Sequence, residues 1–322
     1  MQIPLARLGL LAAILTSLAA SAAAREETIT FGGRHRGQPV EITAAIRWPA
    51  GSGVVPAMVI HHGSGGVNEW REGRYARELV AMGVAAVRID SFGPRGVRQT
   101  VTDQMAVDDA EFNRDAIAAL KALAVHPRID RTRIGIMGFS KGAVSALMVS
   151  HERLLSDKGL PDGLRYALHI PIYPTCYVHY HQPRTSGAPI YLLLGGADTY
   201  AGVEPCTTYG ETLRQSGARI EVKVYPDAPH GFDGGVAYNT PSGENYSRCV
   251  AVQRADGTYV ERTTGAVVGT SGPDGWLVLG RQAMKVIAAC RTLGVSGGPD
   301  ERARAQAMED FKGYVRRHLL GG

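Results

Sequence analysis

Ser140 lies in the pentapeptide Gly138-Phe139-Ser140-Lys141-Gly142, between the β-rich run IGIMGF and a run of helical character. A serine hydroxyl is a weak nucleophile until a neighbouring base takes its proton. A G-x-S-x-G turn from strand to helix exposes such a hydroxyl at the edge of a sheet. The glycines two positions either side are the residues such a sharp turn requires, because a Cβ there would block it. The helix beyond aims its first N–H groups at developing negative charge. A matching base is His230 in YPDAPHGFD, held between Pro229 and Gly231 just after the alternating apolar run IEVKVY. A matching acid is Asp198, in the turn that ends the apolar run YLLLGG. An aspartate there can accept the histidine Nδ1–H and hold the ring in the tautomer that accepts the serine proton. Ser140, Asp198 and His230 follow one another in the chain, each just past a predicted strand. Together they suit nucleophilic acyl transfer.

Acyl transfer also needs donors for the oxyanion that forms. VIHHGSGG, residues 59–66, ends an earlier strand with little side-chain bulk and can bring one backbone N–H to the reacting oxygen. Ser64 is the expected first donor, with Gly65 as its alternative, and Lys141, directly after the nucleophile, is the second. His61 and His62 read as structural histidines near the pocket, since no second cluster completes a metal site. No metal and no cofactor is expected. Arg95, in DSFGPRG (residues 90–96), ends another strand on the same edge. Its fork either pairs with a substrate carboxylate or ties down loop carbonyls or Asp90.

The elements that must position these residues alternate along the chain. Strands are predicted over residues 27–33, 39–49, 54–63, 84–90, 133–140, 166–173, 189–196 and 219–226. Helices are predicted over Glu72–Met82, 105–126, 141–155 and Pro205–Gln215. Short apolar strands alternating with helices predict a mostly parallel central sheet of about eight strands, wound by right-handed crossovers, with helices on both faces. Loops at the carboxyl ends of such strands gather on one edge, where sites form. After Asp233 the alternation breaks. CVAVQRADGTYVERTTG reads as a hairpin turning at ADG, inside an insertion over about 233–275. From Gly280 the chain reads as mostly helical with a break at GVSGGPDE. Residues 25–322 are expected to form one domain.

The leader MQIPLARLGLLAAILTSLAASAAA has one early charge, an apolar run and a small-residue end before REE. That is the order of a secretory signal peptide, over residues 1–24, cut after Ala24 or Ala22. A periplasmic or secreted protein without membrane association is expected. Hydrophobic residues make up 44 % of the chain and charged residues 20 %, ordinary for a globular protein. The net charge of +5 is scattered along the sequence, which argues against a nucleic-acid partner. Four cysteines in an oxidising compartment favour two disulfides, and the absence of C-x-x-C spacing argues against a metal site.

GFSKGA, LLGGADTYAGVEPC and YPDAPHGFD resemble the dienelactone hydrolase branch of the α/β-hydrolases, and the resemblance covers about Gln38 to Phe232. It implies hydrolysis of small carboxylic esters or lactones through an acyl-enzyme, without cofactor or metal, by the order Ser140, Asp198, His230. Founding members of that branch carry a cysteine nucleophile where this chain has Ser140, which points to a general esterase rather than to dienelactone as substrate. The insertion and the leader also depart from the cytoplasmic members. Cys176 and Cys206 follow neighbouring predicted strands at the carboxyl edge and are expected to bridge, bracing the Asp198 loop. Cys249 in the insertion then pairs with Cys290 in the following helix. Two other classes stay open: a binding or accessory protein on the same scaffold, and a serine peptidase or acyltransferase built on the same triad.

Overall fold

The computed structural model describes residues 26–155, 159–161, 163–272 and 277–321, so the leader lies outside the described residues. The first half alternates as the periodicity predicts: β1 (Glu26–His35), β2 (Gln38–Arg47), β3 (Val55–His61), α1 (Glu72–Ala81), β4 (Ala85–Asp90), α2 (Asp109–Ala124), β5 (Ile129–Phe139) and α3 (Lys141–Met148). A one-turn helix α4 (Glu152–Leu155) follows, then β6 (Leu168–Ile172), the two-residue β7 (Val178–His179), β8 (Ile190–Gly195), α5 (Glu204–Gln215) and β9 (Ile220–Tyr225).

Eight of these strands form one sheet in the order β1-β2-β4-β3-β5-β6-β8-β9. β1 and β2 are antiparallel to their neighbours, and the six strands from β4 to β9 run parallel. Parallel strands need crossovers, which the helices supply. Both faces of the central strands are therefore buried, and their residues are mostly apolar, with Arg88 on β4 and His169 on β6 among the buried polar exceptions. In β3 the pleat divides them. Ala57 and Val59 join a core layer under α2, α3 and α5, while Met58 and Ile60 join the layer under α1 and the C-terminal helix.

Local signals set the helix ends. Asp108 accepts from the Glu111 N–H at 2.8 Å and Glu111 reaches back to the Asp108 N–H, a reciprocal cap that starts α2 later than residue 105. The helix expected over 141–155 is interrupted at residues 149–151. There His151 bridges to Thr185 and the Glu152 N–H donates to the Arg184 carbonyl. A distant strand-like segment thus takes backbone groups that a continuous helix would need.

The segment after His230 departs most from the sequence expectation. It contains β10 (Tyr238–Asn245), β11 (Ala251–Gln253), β12 (Thr258–Glu261), β13 (Val267–Ser271), β14 (Leu277–Leu279), α6 (Ala283–Cys290) and β15 (Thr292–Gly297), before the C-terminal α7 (Glu301–Val315). The hairpin about ADG is β11–β12, and with β13, β14 and β7 it forms a five-stranded sheet. Residues 292–297 are a strand, not helix or break. They pair with β10 across some fifty residues, so the segment closes at Gly297 rather than near 275. Both expected disulfides are present, Cys176–Cys206 and Cys249–Cys290. No helix among the described residues is long and apolar enough to cross a membrane.

Candidate active site

The turn from β5 to α3 places Ser140 at φ 52° and ψ −113°, a left-handed backbone conformation rare for a residue with a side chain. The flanking glycines explain how the turn fits. A Cβ on Gly138 would collide with the Gly142 backbone, and one on Gly142 would collide with the His61 and His62 carbonyls at the end of β3. α3 can therefore start against the neighbouring strand only as glycine. Its first turn, with Ser140 at the tip, then faces the carboxyl edge of the sheet.

The structure brings Ser140, Asp198 and His230 together. The Ser140 hydroxyl lies 3.0 Å from His230 Nε2, and His230 Nδ1 lies 2.7 Å from Asp198 Oδ2. The other Asp198 oxygen accepts the Tyr200 and Ala201 N–H groups at 2.9 and 2.8 Å. This ties the carboxylate into its own loop. Asp198 and His230 are buried, and the rings of Tyr173 and Tyr200 pack on the imidazole at 4.8 and 4.7 Å. Asp227 is exposed, and Asp233 is buried with the Tyr173 hydroxyl donating to it at 2.5 Å. Both His230 ring nitrogens are engaged, Nδ1 by Asp198 and Nε2 by Ser140, so Asp198 is the acid that orients the ring.

Two glycines join the acid and base loops. A Cβ on Gly196 would strike the Pro226 carbonyl and one on Gly195 would crowd the Ala228 carbonyl. The chains approach closely enough for Gly196 N–H to donate to Tyr225 and Ala197 N–H to donate to Ala228. From the other side, the end of β15 supports the His230 turn. Gly298 N–H donates to the His230 carbonyl at 3.0 Å and Asp300 N–H to that of Phe232 at 2.9 Å.

Ser64 and Lys141 both line the cavity that contains Ser140. Gly63 lies against Ser140, since a Cβ there would be 3.4 Å from the Ser140 Cβ. His61 and His62 are fully buried behind this loop. Burial, helped by nearby Arg71 and Lys141, pushes His62 from 6.5 down to about 4, so its ring is neutral. Its Nε2 accepts the Ser91 N–H at 3.2 Å, which leaves the proton on Nδ1 to be donated to the Gly63 carbonyl at 2.8 Å. That carbonyl shares a planar peptide with the Ser64 N–H, so His62 orients both.

Arg95 corrects one expectation. Its guanidinium is wholly buried against Asp115, with Nη1 and Nη2 at 2.6 and 2.9 Å from the carboxylate. It also donates to the Ser91 and Arg34 carbonyls. An arginine shut away from solvent by a buried carboxylate has no donor left for a substrate. It ties down backbone directly, at the Ser91 and Arg34 carbonyls, and the carboxylate it pairs with is Asp115 rather than Asp90.

Gln104 escaped sequence reasoning. Its side chain accepts from the Ser64 hydroxyl at 3.0 Å and donates to the Tyr200 hydroxyl at 2.9 Å, while its carbonyl accepts from the Lys141 ammonium at 3.0 Å. It thus joins three lining residues around Ser140. A glutamine in a loop of mixed composition carries no periodic or motif signal.

The cavity holds about 350 Å³ and continues from the polar end at Ser64, Ser140 and Tyr200 to an apolar wall built from α3 and from the strands after β10. Among the described residues, no group of three or more His, Cys, Asp or Glu side chains is placed to hold a metal ion.

Comparison with known proteins gives the family and the fold. The model of the dienelactone hydrolase family matches residues 42–255, about two thirds of the chain. A probable 2-oxo-3-(5-oxofuran-2-ylidene)propanoate lactonase from Bradyrhizobium sp. is 25 % identical over 191 residues, covering 57 % of this chain and 76 % of that protein. The crystal structure of a dienelactone hydrolase-like promiscuous phosphotriesterase from metagenomic libraries superposes with a TM-score of 0.56. It has 16 % identity and covers 92 % of this chain and 99 % of the other. At that identity the superposition speaks for the fold. The chain belongs to the dienelactone hydrolase family and is a hydrolase of the α/β-hydrolase fold.

Proposed function

We propose that this hydrolase cleaves carboxylic esters or lactones through an acyl-enzyme on Ser140. The observation that carries the reading is the continuous relay from Ser140 Oγ through His230 to Asp198, at 3.0 and 2.7 Å, on a strained turn at the mouth of a cavity.

In this mechanism Ser140 Oγ bonds to the substrate carbonyl carbon as its proton passes to His230 Nε2. The carbonyl electrons move onto oxygen, which the Ser64 and Lys141 N–H groups receive. Asp198 keeps the imidazolium oriented without taking its proton. Collapse re-forms the carbonyl and breaks the bond to the alcohol oxygen, which leaves with the proton from His230. Water then repeats the sequence against the Ser140 ester, releasing the carboxylic acid and restoring the hydroxyl. For a lactone, alcohol and acid leave as one molecule.

We read residues 25–322 as one domain, and the chain as exported after loss of its leader. Its two disulfides fit an oxidising compartment.

The test is hydrolysis of p-nitrophenyl esters from acetate to octanoate by the mature protein and by Ser140→Ala, with fluorophosphonate labelling alongside. Turnover and labelling that both vanish in the variant support the reading. A folded protein that neither hydrolyses nor is labelled is a binding scaffold. Peptide substrates and added alcohol acceptors would expose a peptidase or an acyltransferase.

A further inference from the structure

Val144 and Met148 stand four and eight residues beyond Ser140 and line the same cavity. Four residues is about one helical turn, so the cavity follows one face of α3 for about 12 Å from the nucleophile. The opposite wall comes from the segment that follows His230. Val268 on β13, Leu277 and Leu279 on β14, and Met284 and Ile287 on α6 all face this space. The Cys249–Cys290 bridge ties the end of α6 to the chain entering β11, so that wall is held in place covalently.

The charged side chains that line the cavity are engaged elsewhere: Asp108 caps α2, Glu244 is paired with Arg291 at 2.5 Å, and Lys141 is the single basic side chain among the lining residues. The Lys141 ammonium is already paired with Asp109 at 3.1 Å. Two further cations on the same edge are also paired, Arg95 with buried Asp115 and Arg71, beside Gly63, with Glu72 at 2.7 Å. A substrate carboxylate entering this space would lose its water and find no unpaired cation among the lining residues to offset that cost. An alkyl or aryl group would meet methyl and methylene groups. It would also enter past an apolar rim, since Leu279 and Met284 line the cavity and are 39 % and 62 % exposed.

We propose that the chamber between α3 and the β13–β14–α6 wall receives the apolar group of an uncharged ester, and that the enzyme discriminates against substrates carrying a carboxylate on that group. The inference rests on Ser140 being the nucleophile of an ester hydrolase. The apolar group can belong to the acyl or the alcohol side, and the substrate series separates the two.

For the acyl side, kcat/KM for p-nitrophenyl esters is measured from acetate to octanoate, with mono-p-nitrophenyl suberate as the octanoate analogue ending in a carboxylate. For the alcohol side, methyl to octyl acetates are compared. One series is expected to rise at least tenfold with chain length, since each buried methylene contributes about fourfold. If the acyl series is the one that rises, suberate falls at least tenfold below octanoate. In Val268→Trp, which fills the chamber, the ratio of long-chain to short-chain turnover collapses. Met284→Glu, at the exposed rim, lowers the same ratio and keeps the test readable should Val268→Trp not fold. Two flat series, or a rising acyl series with suberate equal to octanoate, overturn the proposal.

A binding measurement separates the chamber from the chemistry. Calorimetry of 2-decanone and 9-oxodecanoate with Ser140→Ala protein is expected to show the neutral ketone binding at least tenfold more tightly. If wild-type protein hydrolyses no ester, the esterase reading fails and this measurement still decides the chamber. Equal affinities would overturn it.

Discussion

His230 and Asp198 are joined twice. The imidazole donates to the carboxylate at 2.7 Å, and the loops that carry them meet along a backbone seam where Gly196 N–H donates to the Tyr225 carbonyl. The side-chain contact depends on the seam. Two loops from adjacent strands hold a short hydrogen bond only if their backbones cannot drift apart.

Ser140→Ala and His230→Ala are each expected to remove nearly all ester turnover, and the double variant to be hardly worse than either, because the groups act as a unit. Asp198→Asn should cost roughly 10⁴ in kcat through loss of the correct tautomer. Steady-state kinetics on p-nitrophenyl butyrate checks all four proteins. Wild-type rates in Ser140→Ala would remove the mechanism, and a silent Asp198→Asn would mean that another group orients His230.

Gly142→Ala inserts a methyl group into the His61 and His62 carbonyls. No flexible side chain lies there to move aside, so β3 and α3 must separate. The expected loss is on the order of 3 kcal/mol or more, the range of severe overpacking. Thermal unfolding measures it. An unchanged melting temperature would show that the turn has more room than its geometry allows.

Reduction should raise the intact mass by four hydrogens, since both pairs of cysteines are bridged. Opening Cys176–Cys206, which closes a loop of 30 residues, should cost about 3–4 kcal/mol by the loop-closure relation. Alkylation before reduction followed by mass spectrometry is the check. Four reactive thiols in the denatured, unreduced protein would contradict it.

Acid should destabilise the fold through its buried histidines. Burial lowers His62, His151 and His169 from 6.5 to about 4. Between those values the unfolded chain binds protons that the folded protein does not. The stability from these rings is therefore full above pH 6.5 and is lost as pH falls towards 4, by up to roughly 3 kcal/mol for each ring. Urea midpoints at pH 7.5 and 4.5, with disulfides intact, give the comparison. A midpoint that does not move would show that these rings take up protons as readily in the fold as in the unfolded chain.

Much of the site was legible in sequence because it is made of local demands. A nucleophile turn needs glycine two residues either side. A strand buried on both faces needs a mostly apolar run, and a hairpin needs ADG. Each demand is met within a dozen residues, so the Ser140 turn, the β9 strand before His230 and the β11–β12 hairpin are all visible in the chain.

What only the tertiary structure decided depends on residues far apart in sequence. Thr292–Gly297 reads as a break until β10 supplies its partner. Arg95 keeps two readings, substrate fork or structural tie, until Asp115 closes on it. Gln104 has no signal until Ser64, Tyr200 and Lys141 surround it. The wall facing α3 comes from β13, β14 and α6, more than a hundred residues beyond Ser140. The candidate reacting groups are thus written in short stretches. The shape and charge of the space beside them arise only when distant stretches pack, because a cavity is a relation between surfaces and not a property of either one.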